Sequence, residues 1–296
     1  MAARRPPPRR RTRSRRPPPR PGGRPPARRR RRSGGSDLGR RILWAIPLIA
    51  FAVFIVVEGG LIFAIGLAIL GIACMAELFD MLEAVRPVRL AGFLAVIALA
   101  LAALYGSTYN VLLMMVALLP VLFFLTVARP QRQDRTLAMA VTVLAVWWIA
   151  LAIAHAVLLR RLPHGDAIIV DILVGTFLGD TAAYVGGRAF GRRPLAPEIS
   201  PNKTLEGLLI GIVFAIGGVW FAGLYQDWLS GVDALLLGVA VALAAPLGDL
   251  FESLIKRDVG AKDTGALLGP HGGVLDRIDA VLFTVPVGFY VWHALM

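Results

Sequence analysis

Long apolar runs alternate along this chain with short polar connectors, at a spacing close to the thickness of a bilayer. A helix crossing the hydrocarbon core needs about 20 apolar residues. Nine stretches approach that length: 42–57, 60–80, 88–105, 109–128, 136–159, 167–187, 206–225, 232–255 and 277–296. In hydrocarbon every backbone N–H and C=O must be satisfied within the structure, which makes these stretches helical. Glycines recur at four-residue spacing, as Gly175/Gly179 and Gly207/Gly211, and so allow helix backbones to approach closely. The expected fold class is an all-α polytopic integral membrane protein with about nine transmembrane helices. Three parts are expected: a tail at 1–41, helices one to five at 42–165, and helices six to nine at 166–296.

Composition agrees: 57% of the 296 residues are hydrophobic, and the mean hydropathy of +0.68 exceeds that of water-soluble domains. The net charge of +13 belongs to one end of the chain. Residues 1–41 hold 17 arginines against the single acid Asp37, whereas the other 255 residues hold 15 Lys and Arg against 18 Asp and Glu. Rich in proline and self-repelling, the tail is expected to be disordered and to lean on anionic lipid. Nucleic acid is the less favoured partner for it. Cys74 is the one cysteine, which excludes a disulfide within the chain.

Basic residues also set an orientation. With the tail cytoplasmic, the connectors on the same side carry Arg86 and Arg89, then Arg129, Arg132 and Arg135, then Arg188, Arg192, Arg193 and Lys203, then Lys256, Arg257, Lys262 and Arg277. On the opposite side, "EGG", "YGSTYN" and "QDWLSGVD" hold no Lys or Arg, and only Arg160 and Arg161 break the pattern.

Two connectors on the basic side carry the candidate chemistry. In the upstream one, "GDTAAYVGGRAFGRRPLAPEISPNKTLEG" (179–207), Asp180 lies inside the sixth span, where a charge costs about 2.5–3.5 kcal/mol and usually marks function. Asp171, nine residues earlier and half a turn away, is expected at the opposite interface. "SPNKTLEG" reads as a polar loop feeding the next helix, in which Ser200, Asn202, Lys203 and Thr204 offer donors suited to phosphate. Ordinary capping by Thr204, with Glu206 in the first turn, is the competing reading.

The downstream connector, "KRDVGAKDTGALLGPHGGVLDRID" (256–279), is richer. Before it, Asp249, Glu252 and Ser253 share a helix face; after it, Asp276 and Asp279 stand at i, i+3. Two helix ends could thus direct carboxylates at one point. Mg²⁺ takes one or two carboxylates plus substrate phosphate, and Lys256, Arg257, Lys262 and Arg277 suit a polyphosphate. Gly272 and Gly273 permit positive φ or close approach beside His271. Glu77, Asp80 and Glu83 cluster at the inner end of the second span and read as surface anchors, with a place at the border of the cavity as the alternative.

The segment "SLIKRDVGAKDTGALLGPHGGVLDRID" (253–279) resembles the signature of the phosphatidate cytidylyltransferases, and "GDTAAYVGGRAFG" with "ISPNKTLEG" resembles an upstream block of the same family. Asn202 stands where lysine is more usual, and "GPHGG" replaces "PGHGG". The resemblance implies a homodimer of helical subunits with a polar cavity open to the cytoplasm. There CTP and phosphatidic acid would condense to CDP-diacylglycerol and pyrophosphate beside membrane lipid. It further implies that Asp249, Asp276 and Asp279 hold Mg²⁺, with a second cation left open, and that Lys256, Arg257 and His271 act at the reaction centre. Asp180, Ser200, Asn202, Lys203, Thr204, Ser253, Lys262, Asp263 and Arg277 would bind substrate. A CTP-dependent lipid-alcohol kinase and a transporter with Asp180 and Asp249 on an ion path are the alternatives.

Overall fold

The computed structural model describes residues 50–130, 133–265 and 272–296. The tail and His271 therefore lie outside the described residues, and the first expected span enters only at residue 50. Residues 50–58 are helical (α1). They are followed by α2 (Gly60–Met81), α3 (Arg89–Tyr105) and α4 (Thr108–Val127). One long helix then runs from α5 (Arg135–Ala145) through a π-helical segment at Val146–Ala150 into α6 (Leu151–Arg161). The rest comprises α7 (Gly165–Phe190), strands β1 (Pro194–Ala196) and β2 (Ser200–Thr204), α8 (Leu205–Gly223), α9 (Gly231–Asp258), α10 (Leu275–Ile278) and α11 (Val281–Leu295).

Among the described residues seven helices are long and apolar enough to cross a membrane. They match seven of the nine expected spans; the one expected at 88–105 is the shorter, 17-residue α3. Many large apolar side chains face outward, with Val213 at 66% and Phe124 at 68% exposure. Water would not tolerate that surface, whereas lipid does, and the chain is a multi-pass membrane protein.

Lipid removes most of the hydrophobic drive between helices, so close packing has to hold them together. The four-residue glycine pattern does so between α7 and α8. A Cβ on Gly211 would lie 2.9 Å from the Gly179 carbonyl oxygen, and one on Gly207 2.7 Å from that of Ala183. Nothing larger than glycine fits this seam without a shift.

The two arginines that broke the charge pattern are helix caps. Arg160 Nε donates to the Val56 carbonyl at 2.8 Å, and Arg161 Nη1 donates to the carbonyls of Ala103 and Gly106 at 2.5 and 2.6 Å. They satisfy the free C-terminal carbonyls of α1 and α3, the usual task of a cation at that position.

One expectation needs correction. The fold is not purely helical: Ser200–Thr204, read as a loop, is a strand paired antiparallel with Pro194–Ala196. Pairing overrides the poor strand propensity of proline and asparagine, here on a two-stranded ribbon where unpaired backbone can face solvent. Asp171, expected near the opposite interface, is enclosed by protein and paired with a residue of the connector between α8 and α9. It is 1% exposed, and Gln226 Nε2 donates to both its carboxylate oxygens, at 2.9 and 3.0 Å.

Candidate active site

At the basic end of the bundle, β2, α7, α9 and the α10–α11 junction converge. Lys203 on β2 forms an ion pair with Asp249 on α9. Asp180 on α7 lies within electrostatic reach of both, and Asp279 within reach of Asp249, Asp180 and Glu252. Ser253 Oγ donates to Asp249 at 3.5 Å, one helical turn along α9. Gly248 makes the convergence possible, because a Cβ there would fall 2.5 Å from the Asp279 carbonyl oxygen. Three carboxylates from three separate segments thus share one neighbourhood with one lysine. Asp180 and Asp279 take part in no ion pair among the described residues.

Beside this group lies a second, more enclosed one. Lys256 Nζ bridges Glu252 at 2.5 Å and Asp276 at 3.0 Å, with side-chain exposures of 14% for the lysine and 1% and 12% for the acids. Losing one member would strand a buried charge at a cost of about 3–5 kcal/mol. Asp276 also accepts the backbone N–H groups of Thr264 (3.0 Å) and Gly273 (2.8 Å). It therefore clamps together the two ends of the connector between α9 and α10. Gly272 adopts φ +80°, the left-handed conformation anticipated for the paired glycines.

The other expected site residues are distributed differently. The pleat of β2 directs Lys203 to one face and Ser200, Asn202 and Thr204 to the other. Thr204 caps α8 by accepting the Gly207 N–H at 3.1 Å, while Glu206 accepts the N–H groups of Arg192 and Arg193 at 3.0 and 3.2 Å and so ties the exit from α7 to the start of α8. Arg257 is exposed and donates to the Ile199 carbonyl at 3.0 Å, which ties the hairpin turn to the end of α9. Lys262, Asp263 and Arg277 are exposed at the connector's ends.

Sequence reading gave Glu252 no separate role and placed Glu77 with the wrong neighbours. Asp80 and Glu83 do pair with Arg89 at the surface. Glu77 instead turns inward, is 3% exposed, and accepts the Leu275 N–H at 2.9 Å. The available signal was its place: a lone carboxylate in an apolar helix a full turn before the exposed pair. Among the described residues no group of three or more His, Cys, Asp or Glu side chains is arranged to hold a metal by itself.

Residues 39–295 match the cytidylyltransferase family. The chain is 32% identical over 264 residues to a Bacillus subtilis phosphatidate cytidylyltransferase, covering 86% of this chain and 97% of that one. It is 46% identical over 134 residues to a Helicobacter pylori phosphatidate cytidylyltransferase, covering 45% and 48% respectively. With an uncharacterized Escherichia coli protein, YnbB, it shares 41% identity over 158 residues, covering 50% and 53%. In these last two matches the chain spans about half the length of the relative, whereas the match to the Bacillus protein runs over nearly its full length. With most of its length matched, the chain belongs to the cytidylyltransferase family.

Proposed function

We propose that this protein transfers the cytidylyl group of CTP to phosphatidic acid, giving CDP-diacylglycerol and pyrophosphate. The observation that carries this reading is the meeting of Asp180, Asp249 and Asp279 with Lys203 at one end of a membrane bundle, within the stretch 179–279 that carries the family resemblance. The phosphatidate oxygen attacks the α-phosphorus of CTP. A new P–O bond forms while the bond to the β-phosphate oxygen breaks, and pyrophosphate departs with that electron pair. The nucleophile is already an anion, so no covalent enzyme intermediate is required. What the protein must supply is positioning and compensation of charge.

Acids alone would repel two polyanionic substrates, and this donor set suits a hard cation. All candidate ligands are carboxylate oxygens, Glu252 Oε1 is buried without a hydrogen-bond partner among the described residues, and the Lys256 ammonium already sits as a cation between Glu252 and Asp276. Asp249 and Asp279, with Asp180 beside them, would hold Mg²⁺. Asp276 is the less available member, since Lys256 and two backbone N–H groups engage it. A cation held by these carboxylates would supply positive charge against the phosphates of the two substrates. Lys203, oriented by Asp249, meets phosphate at the open side of the group, while Lys256 holds the connector in shape. The diacyl chains stay in lipid and the headgroup enters from the side. The arginine distribution supports a cytoplasmic-facing site in a cell membrane, where CTP is available. A homodimer is supported by the family resemblance, and cross-linking in native membranes tests it.

The test is to incubate purified protein with Mg²⁺, phosphatidic acid and CTP labelled at the α-phosphate. Label in lipid together with pyrophosphate release is expected. Release of labelled CDP with an unlabelled phosphorylated lipid would indicate a kinase instead.

A further inference from the structure

We propose that Glu77 is a positioning residue that sets the neck of the connector between α9 and α10, so that a helix of the N-terminal half shapes the reaction site. The proposal rests on the cytidylyl-transfer reading for its functional consequence, and on geometry alone for its structural content.

The connector leaves α9 through Thr264 and Gly265 and returns through Gly272 and Gly273 to α10. Glu77 reaches into this neck from α2, nearly 200 residues away in sequence. Its Oε2 accepts the Leu275 N–H at 2.9 Å. A Cβ on Gly265 would fall 2.6 Å from its Oε1, and a Cβ on Gly273 2.6 Å from its Oε2. One glycine from each end of the connector therefore walls the carboxylate in. From the other side Asp276 takes the N–H groups of Thr264 and Gly273. The neck is held between two carboxylates, one from α10 and one from α2.

A role in filling space does not explain this choice of residue. Burying a carboxylate with one oxygen, Oε1, unpartnered among the described residues is unfavourable. Leucine or methionine would occupy the volume without that penalty. What they lack is an acceptor for Leu275. Asp276, next in sequence, bonds Lys256, which in turn bonds Glu252, so a shift at the neck is transmitted to the buried ion-paired group.

Hydrogen exchange over 260–280 and steady-state kinetics should be measured on full-length wild type, E77Q and E77L. E77Q keeps an acceptor and should stay within about threefold of wild type in both. E77L should raise exchange at Gly273 and Leu275 by about tenfold, the scale of one lost hydrogen bond, and lower kcat more than it raises KM for CTP. Gly265→Ala, which presses a methyl against the Glu77 carboxylate, should open the same amides and serves if E77L does not fold. Wild-type exchange in E77L or in Gly265→Ala overturns the proposal, as does a uniform loosening of α2 with kcat unchanged. The exchange readout needs no turnover. An inactive wild type would refute the cytidylyl-transfer reading while leaving the neck separately testable.

Discussion

The two halves of α7 each carry an aspartate, one buried and one exposed, and the contrast between them supports the proposed place of the chemistry. At one end Asp171 is enclosed and matched by the Gln226 amide on both oxygens, and the nearby arginines Arg160 and Arg161 are spent on helix-end carbonyls. Polar groups there satisfy one another locally. Nine residues on, Asp180 is exposed and stands near Asp249, Asp279 and Lys203, in a region where charge is gathered from four segments and not fully balanced. A group that is satisfied rigidifies a fold, whereas carboxylates crowded together invite a cation and an anionic substrate. The sequence put Asp180 within the span and Asp171 near the opposite interface; their partners separate them further.

The contrast can be pressed by substitution. Asp279→Asn should cut pyrophosphate release by about 10³-fold at any Mg²⁺ concentration, the scale of losing a preorganised electrostatic group, with detergent-solubilised protein still monodisperse. Lys203→Ala should cost about 10²-fold, and Lys203→Arg should recover part of it, because a cation on the Asp249 side is what is needed. At the opposite end, Arg161→Ala should leave kcat within about twofold but lower stability by about 1–3 kcal/mol, since the Ala103 and Gly106 carbonyls lose their donor. Thermal unfolding in detergent reads that change. The smallest stability effect should come from Asp171→Asn, at or below about 1 kcal/mol, because the amide oxygen still accepts from Gln226.

Much of the bundle was legible in the sequence because lipid imposes a simple rule: apolar length means helix. The glycine pairs were legible for a similar reason, since close approach admits few other residues, and Gly207 and Gly211 do face backbone carbonyls. The hairpin was not legible, because "SPNKT" has no strand pattern of its own and acquires one only through its pairing with Pro194–Ala196. Within the site, Lys203 and the aspartates of α9 and α10 could be read from motif and spacing. Glu77 could not be placed, because its partner lies in the last quarter of the chain and no periodicity connects them. Arg257 and Arg161 illustrate the converse: each donates to a backbone carbonyl that no sequence pattern announces.

One experiment addresses the central claim directly, that chemistry resides at the Asp180 end of α7. Pyrophosphate release from CTP and phosphatidic acid should be measured side by side for Asp180→Asn and Asp171→Asn, the same substitution in one helix. The account predicts a loss of at least about 10²-fold for Asp180→Asn and near-wild-type turnover for Asp171→Asn. Equal rates in the two variants, or the greater loss at Asp171, would contradict it.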